Sequence, residues 1–230
     1  MAKKGLCGIE VENSPPGMTP DTSRKNMKPP SPIQVLLAEY DPAWSNLAAK
    51  FTERLEALRP IIVMVHHIGS TAVPGLAAKP IIDLMPLVTD LADLDSVRHR
   101  VEALGFDWHG ELGISGRRYC TLADGAGSRL AQLHFFQVNS EHVDRHVAFR
   151  DYLRAHPAAA NEYEQEKRRA QRLYPNDPHL YASEKAAWIQ ETEAKALLWF
   201  SGWPIVSDIQ KIPNDQPSPP TIDFTSPAPV

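Results

Sequence analysis

Two apolar stretches, residues 61–68 and 81–88, constrain the fold of this chain more than any other feature of its sequence. Both are rich in apolar and β-branched residues, and both have the length of a buried strand. The loop between them contains the dipeptides Pro74-Gly75 and Lys79-Pro80, which are typical of turns and loops. The chain is therefore expected to place two neighbouring strands in the core of an α/β domain, with this loop at one end of the sheet.

The distribution of proline marks the limits of that domain. Of 21 prolines, six lie in residues 1–33 and seven in residues 204–230, which leaves eight for the residues between them. Both ends are also rich in Ser, Asn and Asp, and they carry too little apolar surface to offset the entropy of ordering. We predict one folded domain over residues 34–203, between a disordered N-terminal tail and a disordered, proline-rich C-terminal tail.

Hydrophobic periodicity predicts an α/β order in the first part of the domain and helices in the second. The predicted strands cover residues 33–37, 61–68, 81–88, 106–112, 118–122 and 130–138. The predicted helices cover residues 41–58 and 90–104, followed by three helices within 141–200 that are broken at 156–157 and 175–178. This order favours a ligand-binding cleft between the edge of the sheet and the helices.

Composition excludes several classes of protein. The 24 basic and 28 acidic side chains give a formal charge of −4, so the chain as a whole does not attract DNA or an anionic membrane. The N-terminal residues lack the apolar core of a signal peptide, and no run approaches the ~18 apolar residues of a membrane span. Cys7 and Cys120 show no metal-ligand spacing and are a poor disulfide pair. We expect a soluble cytoplasmic protein with neither DNA nor membrane as a partner.

The loop between the two apolar strands belongs to a longer motif, His67-Ile-Gly-Ser-Thr-Ala-Val-Pro-Gly-Leu-Ala-Ala-Lys-Pro-Ile-Ile-Asp83. This motif resembles the signature of the GrpB family. Further matching segments are Leu133-His134, Arg145-His146, Phe149 to Arg154 and Lys185 to Ile189, so that the resemblance covers roughly residues 34–197. It implies the fold of the polymerase-β-like nucleotidyltransferases, a mixed α/β sheet core followed by a C-terminal helical half.

The residues of this motif also have the chemistry of a phosphate site. Gly69 allows the main chain to approach a phosphate closely because it has no Cβ, and the hydroxyls of Ser70 and Thr71 add donors. Lys79 can balance phosphate charge, and Asp83 is placed to bind a divalent cation that bridges phosphate oxygens. Taken alone, the Gly-Ser pair is a weak motif and is more typical of a plain turn between two strands.

One position departs from the general nucleotidyltransferase pattern. That pattern places two acidic residues on alternate positions of this strand to hold Mg²⁺, whereas here the second position is Met85. A thioether is a poor ligand for a hard cation. Nucleotidyl transfer with Mg²⁺ therefore needs another carboxylate, such as Glu111 on a neighbouring predicted strand; otherwise the fold serves a different chemistry.

Basic residues form a second candidate group. Arg150 and Arg154 lie one helical turn apart and would share a face that could hold phosphates or a carboxylate. Lys167, Lys185 and Arg118 complete the predicted substrate-binding set. The competing interpretation is a solvated surface of i,i+4 ion pairs.

Two histidines are candidates for proton transfer. His67 precedes the Gly-Ser pair and His134 lies within a predicted strand, so the fold would bring both towards the cleft. Each is as compatible with a hydrogen-bonded core histidine. His142 and His146 are one turn apart but lack a third ligand, and we do not predict a metal site there.

Three functions fit these residues. The first is Mg²⁺-dependent nucleotidyl transfer to a small molecule, with Asp83 at the metal and Ser70 at the triphosphate. The second, which we favour from the sequence, is the tRNA-dependent synthesis of an arginine-containing cyclodipeptide. It is implied by a similarity to fungal arginine-containing cyclodipeptide synthases of secondary metabolism. The third is a nucleotide binder that has kept the fold and lost catalysis.

In the second function, arginyl-tRNA and another aminoacyl-tRNA would supply the two amino acids, and no metal or other cofactor would be required. Asp83 or Glu111 would face the guanidinium group. His67 or His134 would act as the base, and Ser70 as the nucleophile or as an oxyanion donor. The surface formed by Arg150, Arg154 and Lys167 would follow the tRNA backbone.

Overall fold

The structure is a computed structural model that describes residues 34–201. Its strands are β1 (Ile62–Ile68), β2 (Ile82–Val88), β3 (Asp107–Trp108), β4 (Arg118–Ala123) and β5 (Arg129–Gln137). Its α-helices are α1 (Ala43–Leu55), α2 (Leu91–Ser96), α3 (Arg98–Ala103), α4 (Glu141–Ala155), α5 (Pro157–Leu173), α6 (Pro178–Glu184) and α7 (Ala186–Phe200). The predicted tails lie outside the described residues, and their disorder stays a prediction.

The five strands form one mixed sheet in the order β1-β2-β5-β4-β3. β2 pairs with β1 in antiparallel and with β5 in parallel orientation, so it has a neighbour on each side. Six of its seven residues are buried, which is the reason why residues 81–88 are almost continuously apolar. The exception is Asp83 near the start of the strand.

The sheet is covered on both faces, and alternation along β2 decides which residue meets which layer. Ile82, Leu84 and Val88 belong to the main core cluster, which also contains apolar residues of α1, α2 and α3. Met85 and Leu87 belong to a second cluster, with β5 and α4. Asp83 alternates with Leu84 and therefore lies on the α4 face.

The helical half of the domain, α4 to α7, packs on the face of the sheet that carries Asp83 and Met85. Arg145 of α4 forms an ion pair with Glu193 of α7, with an Nη1 to Oε1 distance of 2.7 Å. The rings of Tyr163 on α5 and Trp188 on α7 are stacked, with centroids 5.0 Å apart. The α4–α7 group is therefore tied together by both polar and aromatic contacts.

Four predicted elements differ from the structure. Residues 34–37 form no strand, and only an isolated bridge joins Ala38 to Ala78. The strand predicted over 106–112 is reduced to β3, because Gly110 and Gly113 adopt positive φ values that end it. The helix predicted over 90–104 is divided at Val97, whose backbone leaves the helical region. The last predicted helix is divided at Lys185 into α6 and α7.

Within residues 34–201, no helix is long and apolar enough to cross a membrane.

Candidate anion-binding site

An open pocket of about 230 Å³ lies between the loop that follows β1, the start of β2 and the helices α4–α6. The structure brings eight of the predicted site residues to its walls: Gly69, Ser70, Thr71, Lys79, Asp83, Arg150, Lys167 and Lys185. Gln132, Tyr163 and Tyr181 also line it. The pocket thus collects residues from both halves of the domain, as a cleft between sheet and helices should.

The loop begins with a backbone conformation that requires glycine. Gly69 has φ 73° and ψ −172°, a region that other residues rarely adopt. A Cβ atom at this position would lie 2.6 Å from Oδ2 of Asp83. Ser70–Ala72 then form a single 3₁₀ turn, whose hydrogen bonds use the amides of Ala72 and Val73. The amides of Ser70 and Thr71 precede those hydrogen bonds, as expected of donors at an anion site.

Asp83 is the one carboxylate among the residues that line the pocket. Its side chain is 27% exposed, and Oδ1 lies 3.5 Å from Nε2 of His134 on β5. Gln132 pairs with Asp83 across the parallel strands, and its Oε1 accepts a hydrogen bond of 2.8 Å from the hydroxyl of Tyr119. The side chains beside Asp83 are thus an amide and an imidazole.

The position of the second acidic residue is part of the core. Met85 is 0% exposed and packs with Ile68, Phe136 and Val143. In residues 34–201, no group of three or more His, Cys, Asp or Glu side chains is arranged to hold a metal ion. The donor set does not fit the Mg²⁺ centre of a nucleotidyltransferase, which takes two or more carboxylates on this face.

Three lysines line the pocket together with this single carboxylate, and each lies over an aromatic ring. The Nζ atoms of Lys79 and Lys185 lie 4.5 and 4.3 Å from the centroid of the Tyr181 ring. Nζ of Lys167 lies 4.7 Å from the Tyr163 ring. Such cation–π contacts keep ammonium groups in a site that is partly withdrawn from water.

The environment lowers the pKa of all three lysines. Burial, followed by the charge of Lys185, lowers the pKa of Lys167 to about 7. Burial and the charge of Lys79 lower the pKa of Lys185 to about 8, although Asp83 opposes the shift. Burial also lowers the pKa of Lys79. The walls therefore carry more positive charge than Asp83 can neutralise, and an anion between them would relieve the repulsion.

Lys167 has a structural contact in addition to its place in the pocket wall. It is 2% exposed, and its ammonium group donates a hydrogen bond to the carbonyl of Ala77. Glu164, one turn earlier on α5, accepts a hydrogen bond of 3.0 Å from the amide of the same residue. Helix α5 thus holds both polar groups of Ala77 and fixes the loop that leads to Lys79.

Arg150 and Arg154 brace the other part of the loop. Nη1 of Arg150 donates to the carbonyl of His67, and Nε of Arg154 donates to the carbonyl of Ala72. Arg150 also forms a two-point ion pair with Asp151, at 2.7 and 2.8 Å. Both arginines lie on one face, as the sequence predicted, but their donors are directed at the protein main chain and at Asp151.

The two candidate histidines have different surroundings. His67 pairs with Leu84 across the strands, which places it on the face opposite Asp83, and Nε2 lies 3.0 Å from Oγ1 of Thr71. Burial lowers the pKa of His67 to about 4. His134 lies beside Asp83, while its Nδ1 atom is buried without a hydrogen-bond partner. The geometry gives His134 contact with the pocket carboxylate and leaves His67 as a neighbour of the loop.

Glu111 and Arg118 are not brought to the pocket. Glu111 is exposed in the turn after β3, and its Oε1 accepts from the amide of Gly116 at 2.8 Å. Arg118 forms a two-point ion pair with Asp95, with both distances 2.6 Å. The expectation that Glu111 lies on a strand and supplies the second carboxylate is wrong, because the positive-φ glycines turn that segment away from the sheet.

Sequence reasoning missed Gln132. The strand reads Leu-Ala-Gln-Leu-His-Phe from residue 130, so its polar side chains recur at every second position. This alternation places Gln132 and His134 on the same face of β5, so the reasoning that selected His134 as a candidate applies to Gln132 as well. Tyr163 and Tyr181 each lie four residues before the lysine that contacts them, Lys167 and Lys185, and this i,i+4 spacing is the signal that could have paired them.

The sheet and the helical half define a nucleotidyltransferase-like fold, as the sequence predicted. The crystal structure of the GrpB protein from Enterococcus faecalis superposes with a TM-score of 0.68 at 36% identity, over 72% of this chain and 99% of that one. The family model for GrpB protein matches residues 34–195. The chain therefore belongs to the GrpB family.

Two curated relatives agree with this assignment. The UPF0157 protein YqkA of Bacillus subtilis is 34% identical over 178 residues, which are 77% of this chain and 51% of that protein. The glutamate-rich protein GrpB of Alkalihalophilus pseudofirmus is 30% identical, over 69% of this chain and 93% of its own length. The chain thus spans about half the length of YqkA and nearly all of the second relative.

Proposed function

We propose that the pocket binds the phosphate groups of a nucleoside triphosphate or a similar polyphosphate, and that the protein is a transferase built on this site. One observation carries the proposal: three lysine side chains line a half-buried pocket in which Asp83 is the one carboxylate. A phosphate chain offers the negative charge and the acceptor oxygens that these groups need.

The loop supports the same ligand from the opposite side. Gly69 removes the Cβ that would separate a phosphate from the main chain, and the amides of Ser70 and Thr71, with the hydroxyl of Ser70, supply uncharged donors. In nucleotidyl transfer the acceptor attacks the α-phosphorus, and the lysines would stabilise the charge that develops on the leaving pyrophosphate. Nucleotidyl transfer to a small acceptor is therefore the first reaction to test.

Calorimetric titration of the purified chain with ATP, GTP, CTP, UTP and inorganic pyrophosphate tests the proposal. We expect at least one of them to bind, and Lys185→Met to weaken that binding roughly tenfold or more, because one charge-assisted contact is lost. Lys195→Met is the matched control, since Lys195 is exposed and pairs with Glu191 away from the pocket. Absence of binding by all five ligands contradicts the proposal.

A second candidate is the metal-free aminoacyl transfer of a cyclodipeptide synthase, and one observation favours it. Because its pKa is lowered to about 8, Lys185 is neutral in a larger fraction near pH 7 than an ordinary lysine, and in that form it could accept the proton of an attacking ammonium group. The names of the relatives do not mention such an activity. A bound arginine would also bring a positive guanidinium group into a pocket that three lysines already line, and like charges repel. Phosphate binding is therefore preferred.

Incubation with arginine, other amino acids, tRNA, aminoacyl-tRNA synthetases and ATP, with and without RNase, separates the two candidates. An RNase-sensitive arginine cyclodipeptide, detected by mass, would establish the second function. Its absence, under conditions in which arginyl-tRNA accumulates, excludes it.

A further inference from the structure

We infer that this pocket takes its polyphosphate as the free anion, with the lysines in place of a divalent cation. The inference rests on the proposed function and adds the charge state of the ligand. It concerns the form of the substrate: a nucleoside triphosphate or pyrophosphate without bound Mg²⁺.

The surroundings of Asp83 provide the first argument. Oδ1 faces Nε2 of His134 at 3.5 Å, and Oδ2 packs against Gly69, where a Cβ would come within 2.6 Å. Both carboxylate oxygens are therefore directed at protein groups. The position two residues later is the buried Met85, and Gln132 uses its amide oxygen to accept from Tyr119. A hard cation would find one carboxylate here, already in contact with an imidazole.

The lysines provide the second argument. Lys79 and Lys185 lie within 4.5 Å of the centroid of the same tyrosine ring, and each is close enough to the pocket carboxylate Asp83 to feel its charge. Lys167 joins them through the ring of Tyr163, which Lys185 also approaches at 5.8 Å. A divalent cation bound at Asp83 would add charge of the same sign to this group, whereas a free phosphate chain brings the opposite sign.

The arrangement also indicates which part of the ligand each wall meets. The Ser70–Ala72 turn offers neutral donors, whereas Lys79 and Lys185 both contact the ring of Tyr181. The most highly charged group of a polyphosphate is its terminal phosphate, so we place that group at the wall that carries these two lysines. A diphosphate or triphosphate should then bind better than a monophosphate.

Titration of the wild-type chain with inorganic pyrophosphate tests the inference without any substitution. One series contains EDTA and the other a large excess of Mg²⁺, at equal ionic strength. We expect the apparent affinity to be about tenfold or more higher in EDTA, because Mg²⁺ withdraws the free anion and adds repulsion at the lysines. Equal affinity in the two series, or binding that requires Mg²⁺, overturns the inference.

Asp83→Asn gives a second readout in which the two modes have opposite signs. The substitution keeps the size of the side chain and removes one negative charge. For a free anion, we expect binding in EDTA to become roughly threefold to tenfold tighter, because a like charge has been removed. For a metal-mediated ligand, the same substitution would abolish binding. The melting temperature of the variant shows that the fold is retained.

The outcomes separate the inference from the function on which it rests. If pyrophosphate and the nucleotides bind in neither series, the proposed function itself is wrong. If they bind only with Mg²⁺ and Asp83→Asn abolishes binding, the proposed function stands and the inference fails. Lys79→Met should weaken binding in EDTA by at least tenfold, while the exposed Lys195→Met should leave it unchanged.

Discussion

Gly69→Ala is the substitution for which the structure gives the most definite expectation. The backbone of Gly69, at φ 73° and ψ −172°, lies in a region that costs a residue with a Cβ about 1–3 kcal/mol. The added Cβ would lie 2.6 Å from Oδ2 of Asp83, and 3.1 and 3.2 Å from its Cβ and Cγ. Because the contact includes Cβ of Asp83, which does not move when the carboxylate rotates, a small rotation of the side chain does not remove it.

We therefore expect Gly69→Ala to lower the free energy of unfolding by roughly 2–6 kcal/mol, the sum of about 1–3 kcal/mol of backbone strain and about 1–3 kcal/mol of overpacking. Chemical denaturation followed by tryptophan fluorescence measures this loss. Pyrophosphate titration of the folded variant should show weakened binding, because the loop and Asp83 move apart.

Gly75→Ala is the matched control. Gly75 lies in the same loop and also has positive φ, 77°, but no atom lies within 4 Å of the position of its Cβ. Gly75→Ala should therefore lower the free energy of unfolding only by the cost of backbone strain, without the contact with Asp83. It should bind pyrophosphate nearly as the wild type does. Equal stability losses and equal binding for the two variants would refute the argument that close approach to Asp83 requires glycine at position 69.

Three further predictions address the surroundings of the pocket. Folding lowers the pKa of Lys167 to about 7, so the unfolded chain binds more protons than the folded chain between pH 7 and 9. The free energy of unfolding should therefore rise with pH in this window, by at most about 1.4 kcal/mol per pH unit from this group. Lys167→Met should remove that part of the slope, as measured by denaturation at pH 7 and 9. Arg154→Lys should cost about 1–3 kcal/mol, because the hydrogen bond to the carbonyl of Ala72 is lost, whereas Arg98→Lys in an exposed ion pair should leave the denaturation midpoint nearly unchanged. Met85→Ala should cost about 2–5 kcal/mol through a core cavity, and a denaturation curve unchanged from the wild type would contradict the placement of residue 85 in the core.

Some of the fold was predictable because its signals are local. β1 and β2 follow from runs of apolar and β-branched residues that any buried strand requires. The loop between them was recognised from Gly69 and its neighbours, because glycine and proline act on the chain at their own positions. These patterns do not depend on distant parts of the chain.

Elements that depend on partners were predicted less well. The helix over 90–104 has a continuous apolar period, yet the chain leaves the helical region at Val97 and resumes in α3. Composition placed Glu111 on a strand, but Gly110 and Gly113 on either side of it adopt positive φ values and form turns. In both cases the pattern failed to show where the chain leaves the regular element.

The sequence by itself determined the family resemblance, the residues of the loop and the loss of the second acidic position, because each is a matter of residue identity along one segment. Only the tertiary structure decided what the basic residues do. Arg150 and Arg154 donate their hydrogen bonds to main-chain carbonyl groups and to Asp151. Lys79 and Lys185 are 106 positions apart in the chain, yet both contact the ring of Tyr181. Charge counts are additive along a sequence, but the field in a pocket depends on distance and burial, which exist only after the helices have packed on the sheet.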